Sequence, residues 1–477
     1  MRDTVRVRPT SRRGTGVRGH GRGRFSARGR LRPALAAALL LLGTGGAAAG
    51  CSTESGESGG GSGEDSGRGS GGSEDTLVRQ WKVDLGKDET DASSVGWVTG
   101  DTVVLDVGGG GLRGFDTRTG RTRWALKPPA GKDGICNHAP AANRAGTGVV
   151  AYGEGAHGTH CDTVTAVDTR TGHKLWTRKL PHELPSDGLD VSAGQALTVG
   201  ERAVATASDI KGEVRRFAAG SGKPLRPVHG YRVRSHDTAK VVGRRVAVLT
   251  SGSGEHADER ELAAYDVDSG KRLWKRREPE LDGKDRMNAV SDDPLTVGVA
   301  SSPGDGSGLR SYDGHGKTLH EFGVDDQFRQ VFTAGRRHGR ALVGQFSGAS
   351  GLTGEEPVYA LDPRSGKQLW RLVEPRLRPV GVSGDRFFGV LRRQRTGSGG
   401  DPEVVHRLMS ASLDDGRLTD RGAVPPVHGG KHGGHGGGHG DESVVGAAAD
   451  TERLYLVQRP GLDYDDDHLY LTAYAQP

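Results

Sequence analysis

The feature that most constrains this chain is a tight turn that ends in glycine and recurs at nearly even intervals. The turn glycines stand at positions 120, 172, 222, 270, 316, 366 and 416, about fifty residues apart. Short alternating strands flank the turns, and a period of this length built from strands is typical of a propeller, in which each repeat supplies one blade. We therefore predict an all-β fold of four-stranded antiparallel blades.

Four copies of the repeat are especially clear: GFDTRTGRTRW, AVDTRTGHKLW, AYDVDSGKRLW and ALDPRSGKQLW. The aspartate can accept bonds from backbone N–H groups of its turn, and the glycine can take the positive φ that a residue with Cβ resists. The tryptophan offers a flat apolar surface for packing between blades. A ring of aspartates could also bind a ligand, but each stands where its hairpin requires a turn former, so we interpret the repeat residues as structural. They are Asp116, Gly120, Trp124, Asp168, Gly172, Trp176, Asp266, Gly270, Trp274, Asp362, Gly366 and Trp370.

These repeats resemble the quinoprotein-type (PQQ-like) β-propeller repeat, whose pattern is roughly YALDxxTGxxLW. The resemblance extends over about residues 77–477. Families with this repeat include quinoprotein alcohol dehydrogenases, the BamB outer-membrane assembly lipoproteins and extracytoplasmic domains of some bacterial kinases. The resemblance therefore implies a propeller, commonly eight-bladed, and no single activity. The arginine-, alanine- and glycine-rich composition also resembles that of actinobacterial proteins.

Seven turns account for seven blades, and the two ends of the chain indicate an eighth. Leu471–Tyr474 resembles the third strand of a repeat, with no turn and fourth strand after it. Val78–Trp81 resembles the strand that carries Leu-Trp in the other repeats. We expect the strands around Trp81 and Tyr474 to pair, so that the N-terminal strand closes the last blade and the sheet edges are covered.

The first fifty residues resemble a bacterial lipoprotein signal peptide. An arginine-rich segment precedes the apolar run 34–42, which is too short to span a bilayer but suits a signal-peptide h-region. Ala48-Ala-Gly-Cys51 resembles the lipobox, which implies cleavage before Cys51 and acylation of its thiol. An ordinary signal peptide is the alternative, and Arg12-Arg13 leaves Sec or Tat export open.

Residues 51–76 form a Gly/Ser-rich, mildly acidic segment that cannot bury a core, so we expect a disordered tether. The formal charge of the whole chain is +6, of which residues 1–50 supply +10 through eleven arginines and one aspartate. The remainder is therefore about −4, and the basic balance gives no support for nucleic-acid binding.

The chain has three cysteines. If Cys51 carries lipid, Cys136 and Cys161 remain in one blade and in an oxidising compartment, where we expect a disulfide. We place Cys136 near the first strand of that blade and Cys161 in the loop before the third. A zinc site with neighbouring histidines is the alternative, but the ligand spacing is unsuitable.

Two polar segments invite a metal-binding interpretation. His428, His432, His435 and His439 lie in a His/Gly-rich loop, 425–442, between the seventh and eighth blades. Imidazoles on such a segment can chelate nickel, copper or zinc, although the glycines impose no fixed geometry, so we favour a solvated loop. The acidic run 463–467 lacks the glycine and distal glutamate of an EF-hand.

We find no catalytic motif of the GxSxG, HExxH, phosphate-loop or CxxCH kind. The resemblance implies that a quinoprotein dehydrogenase would hold PQQ between a tryptophan and a disulfide of adjacent cysteines, with calcium nearby, and this chain has no adjacent cysteines. We therefore expect neither PQQ nor calcium. The prediction is a monomeric, non-catalytic binding or scaffolding lipoprotein, held to the extracytoplasmic face of the cell membrane by acylated Cys51, with an envelope protein as partner. The alternatives are a PQQ-dependent dehydrogenase and the sensor domain of an envelope signalling system.

Overall fold

The structure is a computed structural model of the chain. It describes residues 77–86, 94–107, 110–154, 160–180, 195–208, 214–228, 238–251, 260–278, 286–300, 307–324, 327–336, 339–347, 357–374, 376–383, 385–396, 402–425, 443–450, 452–459 and 468–475. None of the described residues forms a helix long and apolar enough to cross a membrane.

Strands dominate the described residues. The strands of the first half of the chain are β1 Arg79–Gly86, β2 Ser94–Thr99, β3 Thr102–Asp106, β4 Leu112–Asp116, β5 Thr122–Leu126, β6 Gly134–His138, β7 Thr147–Glu154, β8 His160–Asp168, β9 Lys174–Lys179, β10 Gln195–Val199, β11 Ala203–Ser208, β12 Val214–Ala218, β13 Pro224–Leu225, β14 Thr238–Val242, β15 Arg245–Ser251, β16 Arg260–Asp266 and β17 Arg272–Arg277. Those of the second half are β18 Arg286–Asp292, β19 Leu295–Ala300, β20 Ser307–Tyr312, β21 Thr318–Val324, β22 Gln327–Arg336, β23 Gly339–Ser347, β24 Val358–Leu361, β25 Gln368–Leu372, β26 Leu377–Ser383, β27 Arg386–Thr396, β28 Pro402–Ser412, β29 Leu418–Ala423, β30 Ser443–Ala449, β31 Arg453–Arg459 and β32 Leu469–Ala475.

The strands form eight four-stranded antiparallel sheets, which confirms the predicted eight-bladed propeller. Blades 1 to 7 each take four consecutive strands, from β2–β5 through β26–β29. Blade 8 has the order β1-β32-β31-β30, so the N-terminal strand supplies its outer edge. Contacts between neighbouring blades run mainly through their first strands, including a contact between β2 of blade 1 and β30 of blade 8. The first strands therefore lie innermost, and the ring is closed.

The strand that closes the ring pairs with β32, as predicted. Trp81 lies opposite Ala473, and Arg79 lies opposite Tyr474. The Tyr474 hydroxyl, which is buried, donates to Oε1 of Gln458 at 2.9 Å. No peptide bond joins β1 to β32, so strand pairing and side-chain packing hold blade 8 together.

The antiparallel order separates the connections onto two faces of the ring. One face, which we call the turn face, carries the connections between first and second strands and the Asp-to-Gly turns between third and fourth strands. The opposite face, the loop face, carries the connections between second and third strands and those that lead to the next blade.

The hydrophobic core is divided into layers between adjacent blades. In the layer between blades 1 and 8, Leu105 and Phe115 pack with Tyr455 and Leu471, all fully buried. The alternating strand pattern explains this arrangement, because each strand sends successive side chains to opposite faces of its sheet and both faces meet a neighbouring blade.

Candidate functional surfaces

The repeat aspartates organise their own turns. Oδ1 of Asp116 accepts from the backbone N–H of Thr119 at 2.9 Å and from that of Arg118 at 3.1 Å. The bond from the Thr119 hydroxyl is the main cause that lowers the pKa of Asp116. Oδ1 of Asp266 accepts in the same way from the N–H and hydroxyl of Ser269, at 2.8 and 2.7 Å. These carboxylates are engaged in turn formation rather than grouped at a common site.

The repeat tryptophan of one blade lies directly over the turn glycine of the next blade. Gly222 of blade 3 has φ +64, and a Cβ placed on it would stand 2.6 Å from Cδ2 of Trp176 in blade 2. The indole Nε1 of Trp176 donates to the carbonyl oxygen of Ala219 in blade 3 at 2.7 Å. We call this arrangement the Trp dock: ring on the turn glycine, N–H on the turn carbonyl.

The Trp dock recurs around the ring and across its closure. Trp81 of blade 8 lies over Gly120 of blade 1 and donates to the carbonyl of Thr117 at 2.9 Å. Trp370 of blade 6 lies over Gly416 of blade 7 and donates to the carbonyl of Leu413. The same ring-over-glycine contacts pair Trp124 with Gly172 and Trp274 with Gly316. The repeat tryptophans therefore act as fasteners between consecutive blades.

Blade 3 uses arginine in place of tryptophan, which the sequence analysis missed. Arg216 of β12 lies over Gly270 of blade 4. Its Nε donates to the carbonyl of Val267 at 2.7 Å, and its Nη2 donates to the carbonyl of Asp268 at 2.7 Å. Burial lowers the pKa of Arg216, while the carboxylates of Asp266 and Asp268 act in the opposite direction. A signal existed: Arg226 occupies the tryptophan position of this repeat, between Pro224 and Pro227.

Trp97, the tryptophan outside the repeat pattern, fastens the inner part of blades 1 and 2. Its Nε1 donates to the carbonyl of Ala139 at 2.8 Å, and its ring meets His138 edge-on at 5.8 Å. Burial lowers the pKa of His138, and the bond to the Ala139 carbonyl only partly opposes this shift. His138 is thus a neutral packing residue at ordinary pH.

Blade 2 contains a disulfide between Cys136 and Cys161, with Cα atoms 6.0 Å apart. Cys136 lies in the innermost strand β6, as expected, whereas Cys161 lies within β8 rather than in the loop before it. Beside it, the Nζ of Lys132 contacts carboxylate oxygens of Asp162 at 2.7 Å and Glu154 at 2.6 Å. The side chains of Lys132 and Asp162 are both buried and paired with each other, so neither is a free reactive group.

Several predicted residues lie outside the described part of the chain: Cys51, the tether 51–76, and His428, His432, His435 and His439. Within the described ranges, no group of three His, Cys, Asp or Glu side chains is placed to hold a metal ion.

Comparisons with known proteins agree with this architecture. A family model described as outer membrane protein assembly factor BamB matches residues 137–302, which run from blade 2 into blade 5. The crystal structure of BamB from Moraxella catarrhalis aligns with a TM-score of 0.47 at 15% identity, covering 84% of this chain and 100% of that chain. The computationally designed Ika8 protein aligns with a TM-score of 0.50 at 12% identity, covering 85% and 100%.

A quinohemoprotein alcohol dehydrogenase from Pseudomonas putida HK5 aligns with a TM-score of 0.48 at 12% identity, covering 83% of this chain and 76% of that chain. No curated protein matches significantly. At these identities the structural likeness concerns the fold alone. The family-model match gives blades 2 to 5 a resemblance to the PQQ-like propeller repeat.

The described residues do not reproduce the PQQ sandwich that the resemblance implies for a dehydrogenase. The disulfide joins cysteines separated by 25 positions and lies within one blade. Trp176 is 6% exposed and Trp97 is 3% exposed, and each has its ring and its N–H engaged with a neighbouring blade. Neither ring is available to stack on a quinone.

Proposed function

We propose that this protein is a membrane-anchored, extracytoplasmic binding or scaffolding propeller without catalytic activity of its own. The observation that carries the proposal is that the recurring side chains of the repeat have structural roles. The repeat aspartates hold turns, and the repeat tryptophans and Arg216 fasten blades. A closed ring remains, and the connections on its loop face differ in length from blade to blade.

The anchor in this proposal is acylated Cys51, followed by a segment whose Gly/Ser composition suits a tether. Cys51→Ala should abolish acylation, so the protein should leave the membrane fraction or retain its leader. Membrane fractionation and intact mass test this. Equal fractionation and no mass difference attributable to lipid would contradict the anchor.

The partner in this proposal is an envelope protein bound by the loop face, because connections on a rigid scaffold are where propellers and other folds recognise ligands. Photoreactive residues at Ala130 and Arg376, both exposed on the loop face, should crosslink to the partner in intact cells. The same substitution at Arg118 and Arg364, exposed on the turn face, provides the matched control. Equal crosslinking from both faces would contradict the assignment.

The competing dehydrogenase function can be tested directly. Purified protein is incubated with PQQ and calcium, and dye reduction is measured with alcohols and sugars. We expect no stoichiometric PQQ binding and no substrate-dependent dye reduction. PQQ binding together with dye reduction would replace the scaffold proposal with an enzymatic one.

A further inference from the structure

The outer rim of the ring is strongly asymmetric in charge. The outer strands are β1, β5, β9, β13 and β17 in the five consecutive blades 8, 1, 2, 3 and 4. Exposed lysines and arginines lie on these strands or directly next to them in sequence. We call this set the basic arc: Arg79, Lys82, Arg121, Arg123, Lys127, Lys174, Lys179, Lys223, Arg226, Lys271, Arg272, Lys275 and Arg277.

Acidic residues do not balance the basic arc locally. Among the described residues of these five strands, Asp84 is the one exposed acid, and it is bonded to His468 at 2.9 Å. On the remaining outer strands, by contrast, β21 and β29 each carry an exposed carboxylate, Glu321 and Asp420. The chain after residue 50 is net negative, at about −4. Exposed cations also occur next to β21, β25 and β29, but they are more numerous and less balanced by exposed acids along the basic arc.

Part of the basic arc is available to an external anion. Arg123 contacts Asp101, Lys275 contacts Glu261 and Lys179 contacts Asp162. In the described part of the chain, no ion pair involves Lys223, Lys271 or Arg121, and all three are exposed. Exposed apolar side chains accompany these cations. Val78, 70% exposed, precedes Arg79, and Leu273, 42% exposed, follows Arg272.

We infer that the basic arc is a docking surface for anionic phospholipid headgroups, so that the ring stands with the middle of the arc, around blade 2, nearest the membrane. Lysine and arginine near an anionic bilayer each contribute roughly a fivefold factor in affinity. The inference is compatible with the proposed anchor, but its test does not depend on acylation, so the two can fail separately.

The repeat itself supplies a matched pair of variants. The residue after the turn glycine is an exposed cation in blades 1, 3 and 4 (Arg121, Lys223, Lys271) and equally in blades 5, 6 and 7 (Lys317, Lys367, Arg417). The full chain carrying Cys51→Ser is the parent. The arc variant adds R121E, K223E and K271E, whereas the control variant adds K317E, K367E and R417E. Both variants change the net charge equally at equivalent positions.

Binding to vesicles of phosphatidylglycerol and phosphatidylcholine is measured by sedimentation, after thermal unfolding has shown that both variants retain the parent's stability. We expect the arc variant to bind at least about tenfold more weakly than the parent and the control variant to change less than about threefold. Binding should vanish on pure phosphatidylcholine and weaken with salt. Equal losses in both variants, or parental binding to soluble polyphosphate but not to vesicles, would overturn the inference.

A second measurement determines which side of the ring faces the vesicle. It is needed because the arginine-rich residues 1–50 are present in all variants and can bind anionic vesicles by themselves. A nitroxide is attached at K223C or, as the equivalent control, at K367C in the Cys51→Ser parent. Relaxation by a nickel-chelating lipid should be strong at position 223 and weak at position 367. Equal relaxation at the two positions would contradict docking through the basic arc.

Discussion

The junction between blades 2 and 3 and the junction between blades 3 and 4 solve the same packing problem with different chemistry. At the first, Trp176 covers Gly222 and donates one hydrogen bond to the Ala219 carbonyl. At the second, Arg216 covers Gly270 and donates to the equivalent carbonyl, that of Val267, and to that of Asp268. The two side chains are 6% and 4% exposed, so both are buried fasteners.

This comparison shows that the turn, not the tryptophan, is the constant element of the junction. The positive-φ glycine leaves a flat gap, and the carbonyl that follows the turn's first residue faces the preceding blade. An indole and a guanidinium are both planar donors that fit this gap. The indole contributes mainly apolar contact, whereas the guanidinium contributes several charge-assisted hydrogen bonds.

The largest expected effect is at the tryptophan junction. Trp176→Ala removes a buried indole that also packs on Phe217 at 5.8 Å, and it should lower the free energy of unfolding by about 3–5 kcal/mol. Trp176→Phe keeps a ring but loses the bond to Ala219, so it should cost about 1 kcal/mol. Denaturant titration measures both. A loss below about 1 kcal/mol for Trp176→Ala would show that the junction does not need a fastener.

The next prediction concerns how much the disulfide of blade 2 contributes to the free energy of unfolding. The double substitution Cys136→Ser and Cys161→Ser opens a crosslink with a sequence separation of 25, which should cost about 3 kcal/mol through the loop entropy of the unfolded chain. Unfolding of the oxidised parent and of the variant is compared. If reduction of the parent leaves its stability unchanged, the disulfide contributes nothing to blade 2.

At the arginine junction, Arg216→Met keeps an unbranched stem but removes every donor. It leaves the carbonyls of Val267, Asp268 and Arg226 without this partner and should cost about 2–3 kcal/mol. Arg216→Lys should rescue only part of the loss, because an ammonium lacks the planar fork that reaches these carbonyls together. Full rescue by lysine would mean that charge alone matters at this junction.

The smallest effect concerns charge coupling. Burial raises the pKa of Asp266, but bonds from Ser269 and the charges of Arg245 and Arg244 outweigh this, so its pKa is lowered overall. The ionised form therefore stabilises the fold above the unfolded pKa, about 3.9, and this contribution is lost as the pH falls from there through the folded pKa.

Asp266→Asn should accordingly cost less than about 1 kcal/mol at neutral pH, and the difference from the parent should disappear in acid. In the Arg216→Met background the cost should shrink, because Asp266 also acts on Arg216. The control is Asp116→Asn with Trp81→Phe, where the facing side chain is uncharged and no coupling is expected. An equal coupling free energy in the two pairs would mean that the arginine junction does not differ electrostatically from the tryptophan junction.

The sequence predicts the repeated parts of this molecule well. The turn spacing and the alternating strands lead to seven blades, and the match between the strands around Trp81 and Tyr474 leads to the eighth blade and the closed ring. The seven blades rest on local rules, since the turn chemistry and the period of two depend on neighbouring residues, whereas the eighth blade rests on the two chain ends each matching part of the same repeat.

The sequence indicates that blade 3 lacks the repeat tryptophan, but it does not identify Arg216 as the replacement, because the role of Arg216 is not local. It comes from the third strand of its blade instead of the fourth, and β13 is reduced to Pro224–Leu225. Only the three-dimensional offset between blades brings its guanidinium to the turn of blade 4. The basic arc could not be predicted for a similar reason: its residues are dispersed along the sequence, and only the placement of the outer strands brings them together.

The pairing of β1 with β32 makes blade 8 depend on strands from opposite ends of the described residues. Blade 8 therefore cannot be completed until β32 has been synthesised, whereas each of the other seven sheets needs only consecutive strands. Truncation before β32 should leave β1 and Trp81 without their sheet partner.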